Sequence, residues 1–170
     1  MRPENQSGFS LVAAIFLLVV LGLMGGLIAS VTGMQQSSGQ LDLQGVRAYQ
    51  SARVGTEWAA YHVLDPDNTL NPGSCSPVNM PICPASPKNL SALGGSLSGF
   101  VVTVTCTLSA DTTESNRNVR VFQIVSTACN QPSGGSCPNN SPASGYVERR
   151  LEATFSKCKD STATAPRCSC

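Results

Sequence analysis

Between Glu4 and Asp42 the chain carries no charged residue, and Phe9 to Val31 is apolar apart from small and hydroxyl residues. As a helix rising about 1.5 Å per residue, that run extends roughly 34 Å, enough to cross a hydrocarbon core. A removed signal peptide is a rival reading. Its apolar region usually covers only about 7–15 residues and ends at a small-residue cut site. The run is longer than that, and no clear Ala-x-Ala site follows it. A plain single-pass anchor is the other alternative. Arg2 is the only basic residue before the span, and the segment preceding Gly8 is short enough to stay cytoplasmic. The expected placement is a single pass through an inner membrane, with the N-terminus cytoplasmic and the C-terminal part periplasmic.

Beyond the span, Leu41, Gly45, Ala48, Ala52, Gly55, Ala59 and Val63 recur at steps of three and four, so the helix is expected to run on to about Leu64. Most of these residues are small, which lets a sheet approach that face closely. Asp65-Pro66-Asp67-Asn68 ends the helix, because the residue before a proline avoids helical geometry. From Asp65 to Ser96 prolines abound and no period appears. Three strand signals follow. Val102, Val104, Cys106 and Leu108 alternate with threonines. Val119 to Cys129 is apolar on both faces, as a central strand would be. Val147, Leu151, Ala153 and Phe155 alternate with Glu148, Arg150, Glu152 and Thr154. Turn-rich segments between them predict an antiparallel meander, one face of which packs on the helix. The expected class is α+β: a long N-terminal helix continuing into a soluble domain with a small, disulfide-rich antiparallel sheet. The segments are then 1–8 as leader, 9–31 as span, 32–64 as amphipathic continuation, 65–96 as a Pro/Cys-rich loop, and 97–170 as sheet and tail.

Charged residues make up 12% of the chain, about half the usual share. Net charge is +1, and the Lys and Arg residues form no dense patch, which argues against nucleic acid as a partner. All eight cysteines, Cys75, Cys83, Cys106, Cys129, Cys137, Cys158, Cys168 and Cys170, lie beyond the span. An even number on the periplasmic side reads as a disulfide framework with 105 possible pairings. Cys75 with Cys83, sharing one proline-rich loop, is the first expectation. Cys129 with Cys137, around a Gly-Gly turn, is the second, and Cys158 with Cys168 or Cys170 is the third. Zinc binding by Cys158, Cys168 and Cys170 is the rival. Zinc sites usually show two close pairs or nearby histidines, and the one histidine, His62, lies far away in sequence. A free or redox-active Cys168/Cys170 pair is a further alternative.

Gly8-Phe9-Ser10-Leu11-Val12-Ala13-Ala14-Ile15-Phe16-Leu17-Leu18-Val19-Val20-Leu21 resembles the start of a type IV prepilin. With Ala48 to Trp58, Ser126 to Asn130 and Tyr146 to Thr154, the chain is similar to the MshP-type minor pilins of the mannose-sensitive haemagglutinin (MSHA) pilus, which are related to PilX-type subunits. The loop from Asp65 to Ser96 and the tail after Phe155 lie outside the resemblance. It implies cleavage between Gly8 and Phe9 by a prepilin peptidase, then N-methylation of Phe9. Gly8, without a side chain, can lie extended in a protease cleft. Most of the family has glutamate where Ala13 stands, and that carboxylate is thought to meet a neighbouring subunit's terminal amine. Minor subunits at a filament tip can lack it, so Ala13 points to an initiating or capping role. Gly22, Gly25, Gly26 and Gly33 weaken helix propensity by about 1 kcal/mol each relative to alanine. The resemblance implies partial unwinding there during assembly; ordinary close packing in the membrane explains them equally. Implied partners are other major and minor pilins, the prepilin peptidase/methyltransferase, the inner-membrane assembly machinery and lipid.

Arg53 and Glu57, four apart, are placed to pair on an exposed helix face, with contact to a neighbouring subunit as the alternative for Glu57. Trp58 is expected as core under the sheet, with an interface anchor as its rival, and His62 as a surface or boundary residue. Turn chemistry accounts for Asp65, Asp67 and Asn68 better than calcium does. No Ser-His-Asp, Cys-His or paired-carboxylate arrangement points to an enzyme, and no cofactor or metal is expected. The leading function is a minor pilin serving surface attachment and biofilm formation. The alternatives are a minor pseudopilin of a type II secretion system and a tip adhesin using the disulfide-closed loop.

Overall fold

The buried stripe of the long helix settles how the part beyond the apolar span is built. In the computed structural model, which describes residues 9–76, 80–109, 111–114, 116–165, 168 and 170, α1 runs Phe9–Leu64. Five strands follow: β1 (Lys88–Leu90), β2 (Val101–Leu108), β3 (Thr112–Glu114), β4 (Arg117–Cys129) and β5 (Glu148–Asp160), with a 3-10 turn at Gly95–Leu97. Contacts divide the chain into two units, Met1–Asp42 and Leu43–Cys170. In the first, Leu11–Gly33 is long and apolar enough to cross a membrane, as a signal sequence can also be, and none of it is buried.

In the second unit Gly45, Ala48, Ala52, Gly55, Ala59 and Val63 are all buried. Leu41 is not: it is 51% exposed and belongs to the first unit, where nothing covers it, so the packed stripe starts one turn later than expected. The stripe lies on the inner face of the sheet, where Ala52, Ala59 and Val63 meet Val102, Val104, Phe122, Ile124 and Ala128. Ala48 packs with Phe100 and Val147 in a smaller cluster. Gly55 is the closest approach. A Cβ there would stand 2.3 Å from Ser126 Oγ, 2.6 Å from Val102 Cγ1 and 2.9 Å from Val104 Cγ2. The Ser126 hydroxyl donates to Ala52 O at 2.7 Å, so the seam is hydrogen-bonded as well as packed. Trp58 is half-buried and packs against this core.

All strand pairs are antiparallel. β4 is central, with β5 along its whole length on one side (Arg117↔Asp160 to Cys129↔Glu148). Its other side is shared by β2, paired to Phe122–Cys129, and β3, paired to Arg117–Val119, with β1 outside β2. The three expected strands are therefore present. β1 and β3, at three residues each, are too short to show a period, and β1 lies in the stretch read as loop. The inner face of β5 continues past Leu151, Ala153 and Phe155, because period 2 also points Arg149, Lys157 and Lys159 inward. The apolar middle of this strand thus ends in cations on both sides.

The cysteines pair as Cys75–Cys168, Cys83–Cys106, Cys129–Cys137 and Cys158–Cys170. The expected Cys129–Cys137 bridge forms, and Cys158 joins Cys170. The expected Cys75–Cys83 bridge does not. Cys83 packs against the sheet core and meets Cys106 on β2, while Cys75 turns with the 71–75 loop toward the tail. Every cysteine is bridged, so Cys158, Cys168 and Cys170 carry no free thiol here.

Candidate functional site

Gly8 lies outside the described residues, and α1 starts at Phe9. From Leu11 to Gly33 none of the helix is buried. Ala13 is exposed, as are Leu11, Ile15, Phe16 and Leu18 around it. At Gly22, Gly25, Gly26 and Gly33 an added Cβ would meet nothing within 4 Å. Nothing among the described residues therefore requires glycine at these four positions.

In the second unit the chemistry gathers where α1 ends. Asp65 and Asn68 both take left-handed backbone (φ 41° and 50°), which Asp and Asn tolerate better than most residues, and this turns the chain back across the sheet. The Asp65 carboxylate accepts from the Thr69 N–H at 2.8 Å, the Thr69 hydroxyl at 2.7 Å and the Leu70 N–H at 3.4 Å. Burial pushes this carboxyl up, but those hydrogen bonds and the Lys157 charge outweigh it and hold it below the usual carboxylate value. Lys157 Nζ donates to the main-chain oxygen of Asp65 at 3.3 Å, placing a cation at the negative end of the helix. Lys159, fully buried, donates to Asn68 Oδ1 at 2.7 Å. Burial, then the neighbouring Lys157 charge, push the Lys159 amine below the ordinary lysine value, and Asp65 opposes them.

Asp65, Asp67 and Asn68 each have a hydrogen-bond partner in this turn. The carboxylate of Asp65 is committed to Thr69 and Leu70, the Asn68 oxygen faces an ammonium, and Asp67 Oδ2 accepts from the Tyr61 hydroxyl at 3.5 Å. Among the described residues no three His, Cys, Asp or Glu side chains gather in metal-binding geometry. The two lysines are the residues that the sequence reading passed over. They look like surface charge by type, yet the strand period that turns Leu151 and Phe155 toward the core runs straight on to them.

Elsewhere, Arg53 and Glu57 pair at 2.8 Å on the exposed side of α1, as expected. Such a pair contributes a few tenths of a kcal/mol. His62 is exposed, its ring tilted against Trp58 at 4.5 Å. Beside it opens a cavity of about 370 Å³, whose lining includes Cys83, Tyr61, Leu70 and Ile82, the last three strongly exposed. Arg120 ties the same loop down. It donates to Pro81 O at 2.8 Å and to Met80 O at 3.3 Å, while paired with Asp111 through two hydrogen bonds. The Arg120 hydrogen bonds keep the Asp111 carboxyl below its usual value. Neither a protein-family model, nor a curated protein, nor a solved structure matches this chain.

Proposed function

We propose that the chain is a minor type IV pilin of the MSHA type, which helps initiate or cap a filament used in surface attachment and biofilm formation. The carrying observation is the bare apolar helix, Leu11–Gly33, joined in sequence to a unit whose own helix packs on an antiparallel sheet crosslinked by four disulfides. The Gly8-Phe9 junction supports the same reading. In this account prepilin peptidase trims the chain after Gly8, and the helix waits in the inner membrane with the disulfide-bonded unit in the periplasm. Assembly then moves the helix from lipid into a bundle of other pilin helices, where its apolar side chains stay out of water. Ala13, lacking a carboxylate, makes no charged pairing along the bundle, which suits a subunit at the filament's end rather than along its shaft.

Mass spectrometry of the mature N-terminus tests the proposal. A methylated Phe9 is expected, with Gly8→Trp blocking the cut and abolishing pili. An intact Met1, or a cut near Ser30, would remove the pilin reading. A second reading, a tip adhesin, is favoured by the cavity at Tyr61, Leu70 and Ile82, whose exposed apolar rim is the kind of surface that recruits a ligand. Substituting Ile82 and Leu70 by serine would weaken attachment without reducing pilus number in that case alone. Gene neighbours separate the pilus from a type II secretion pseudopilin.

A further inference from the structure

We infer that Lys159 and Asn68 form an intramolecular isopeptide bond, joining β5 to the loop that follows α1. The two side chains come from positions 91 apart in sequence and meet with Lys159 Nζ 2.7 Å from Asn68 Oδ1. Both are buried, at 0% and 1% exposure. The amide cannot turn over. Its Nδ2 donates to Asn71 O at 2.6 Å and Ser74 O at 3.0 Å, and a flip would set its oxygen against two carbonyls and its nitrogen against an ammonium. The backbone of Asn68 is equally fixed, by its N–H on Asp65 O at 3.0 Å and its carbonyl under the Asn71 N–H at 3.2 Å. Lys159 is held by its place in the β4–β5 ladder, opposite Asn118. An amine and an amide carbonyl are thus presented to each other by two ordered elements, the condition under which positioning alone replaces much of a bimolecular barrier. Burial and the Lys157 charge favour the neutral amine, the form that attacks.

The step balances without an oxidant or a co-reactant. The neutral Lys159 Nζ adds to Asn68 Cγ and the Cγ–Nδ2 bond breaks. Nδ2 leaves as ammonia, taking up the proton that Nζ sheds as the new Cγ–Nζ amide forms. The proton lost when the lysine ammonium became neutral ends on the released ammonia as ammonium. The product ties the end of α1 to the last strand beside the Cys75–Cys168 bridge, and unlike that bridge it survives reduction. The inference does not depend on any filament.

The test is peptide mapping of the full-length protein after complete reduction, alkylation, denaturation and trypsin digestion. The expected result is a branched peptide carrying residues 68 and 159, lighter by one ammonia than its two arms, with no cleavage after Lys159 and near-complete loss of both linear peptides. Lys159→Arg and Asn68→Ala should each restore linear peptides. Asn68→Asp should yield the same branched peptide, now with loss of water. Recovery of the linear Asn68 and Lys159 peptides from the folded wild-type protein overturns the proposal. So does ammonia loss confined to the Asn68 peptide with no branch, since that is local ring closure. The wild-type measurement decides the matter even where a variant fails to fold.

Discussion

At Gly55 one missing methyl group sets the distance between helix and sheet. The atoms that a Cβ would strike belong to Ser126, Val102 and Val104, on the two strands that carry the core. Those side chains cannot retreat, because Ser126 is bonded to Ala52 O and the valines are fully buried. Gly55→Ala should therefore cost about 1–3 kcal/mol by overpacking. Gly99→Ala, where a Cβ meets nothing within 4 Å, should stay within about 0.5 kcal/mol of wild type. Denaturant unfolding followed by the fluorescence of Trp58, the single tryptophan, reads both. Equal midpoints for the two variants would refute the close-approach account. The small-residue repeat that holds Gly55 was visible in the sequence as a face suited to a sheet. That this glycine is the contact point was not, since the distance depends on which strand residues stand opposite.

For the elements, legibility followed length and period. α1 and the three long strands have enough residues to repeat a pattern, whereas β1 and β3 do not. The inward lysines of β5 show the limit of reading residue type before period. Charge suggested solvent, yet alternation places Lys157 and Lys159 on the same face as Phe155, and the end of α1 supplies the oxygens that receive them. Gly22, Gly25, Gly26 and Gly33 pose the opposite case, since an added Cβ there would meet nothing among the described residues. Replacing Gly22 and Gly26 with alanine should favour the helical state by about 1 kcal/mol at each site. Unfolding of the Leu43–Cys170 unit should not change, because neither residue belongs to it. Under the assembly account, pilus number counted by electron microscopy should fall. Undiminished piliation would remove the unwinding role.

Across the molecule, the disulfides divide into local and distant. Cys129–Cys137 closes a separation of 8 residues and Cys75–Cys168 one of 93. On the chain-entropy view the first is worth about 2.5 kcal/mol and the second about 4.6 kcal/mol. The double variant Cys75→Ser, Cys168→Ser should accordingly lower stability more than Cys129→Ser, Cys137→Ser, by roughly 2 kcal/mol in the same unfolding assay. The reverse order would show that strain or residual structure, not loop length, governs these bridges. The sequence by itself determined the apolar span, the helix that continues beyond it and the three long strands, because each is a pattern written in neighbouring residues and enforced by backbone geometry. It also marked the close Cys129–Cys137 pair. Only the tertiary structure decided that Cys75 passes over its near neighbour for Cys168, and that a buried lysine meets Asn68. Those encounters join residues some ninety positions apart, and where such residues meet is set by how helix and sheet pack, which no local pattern encodes.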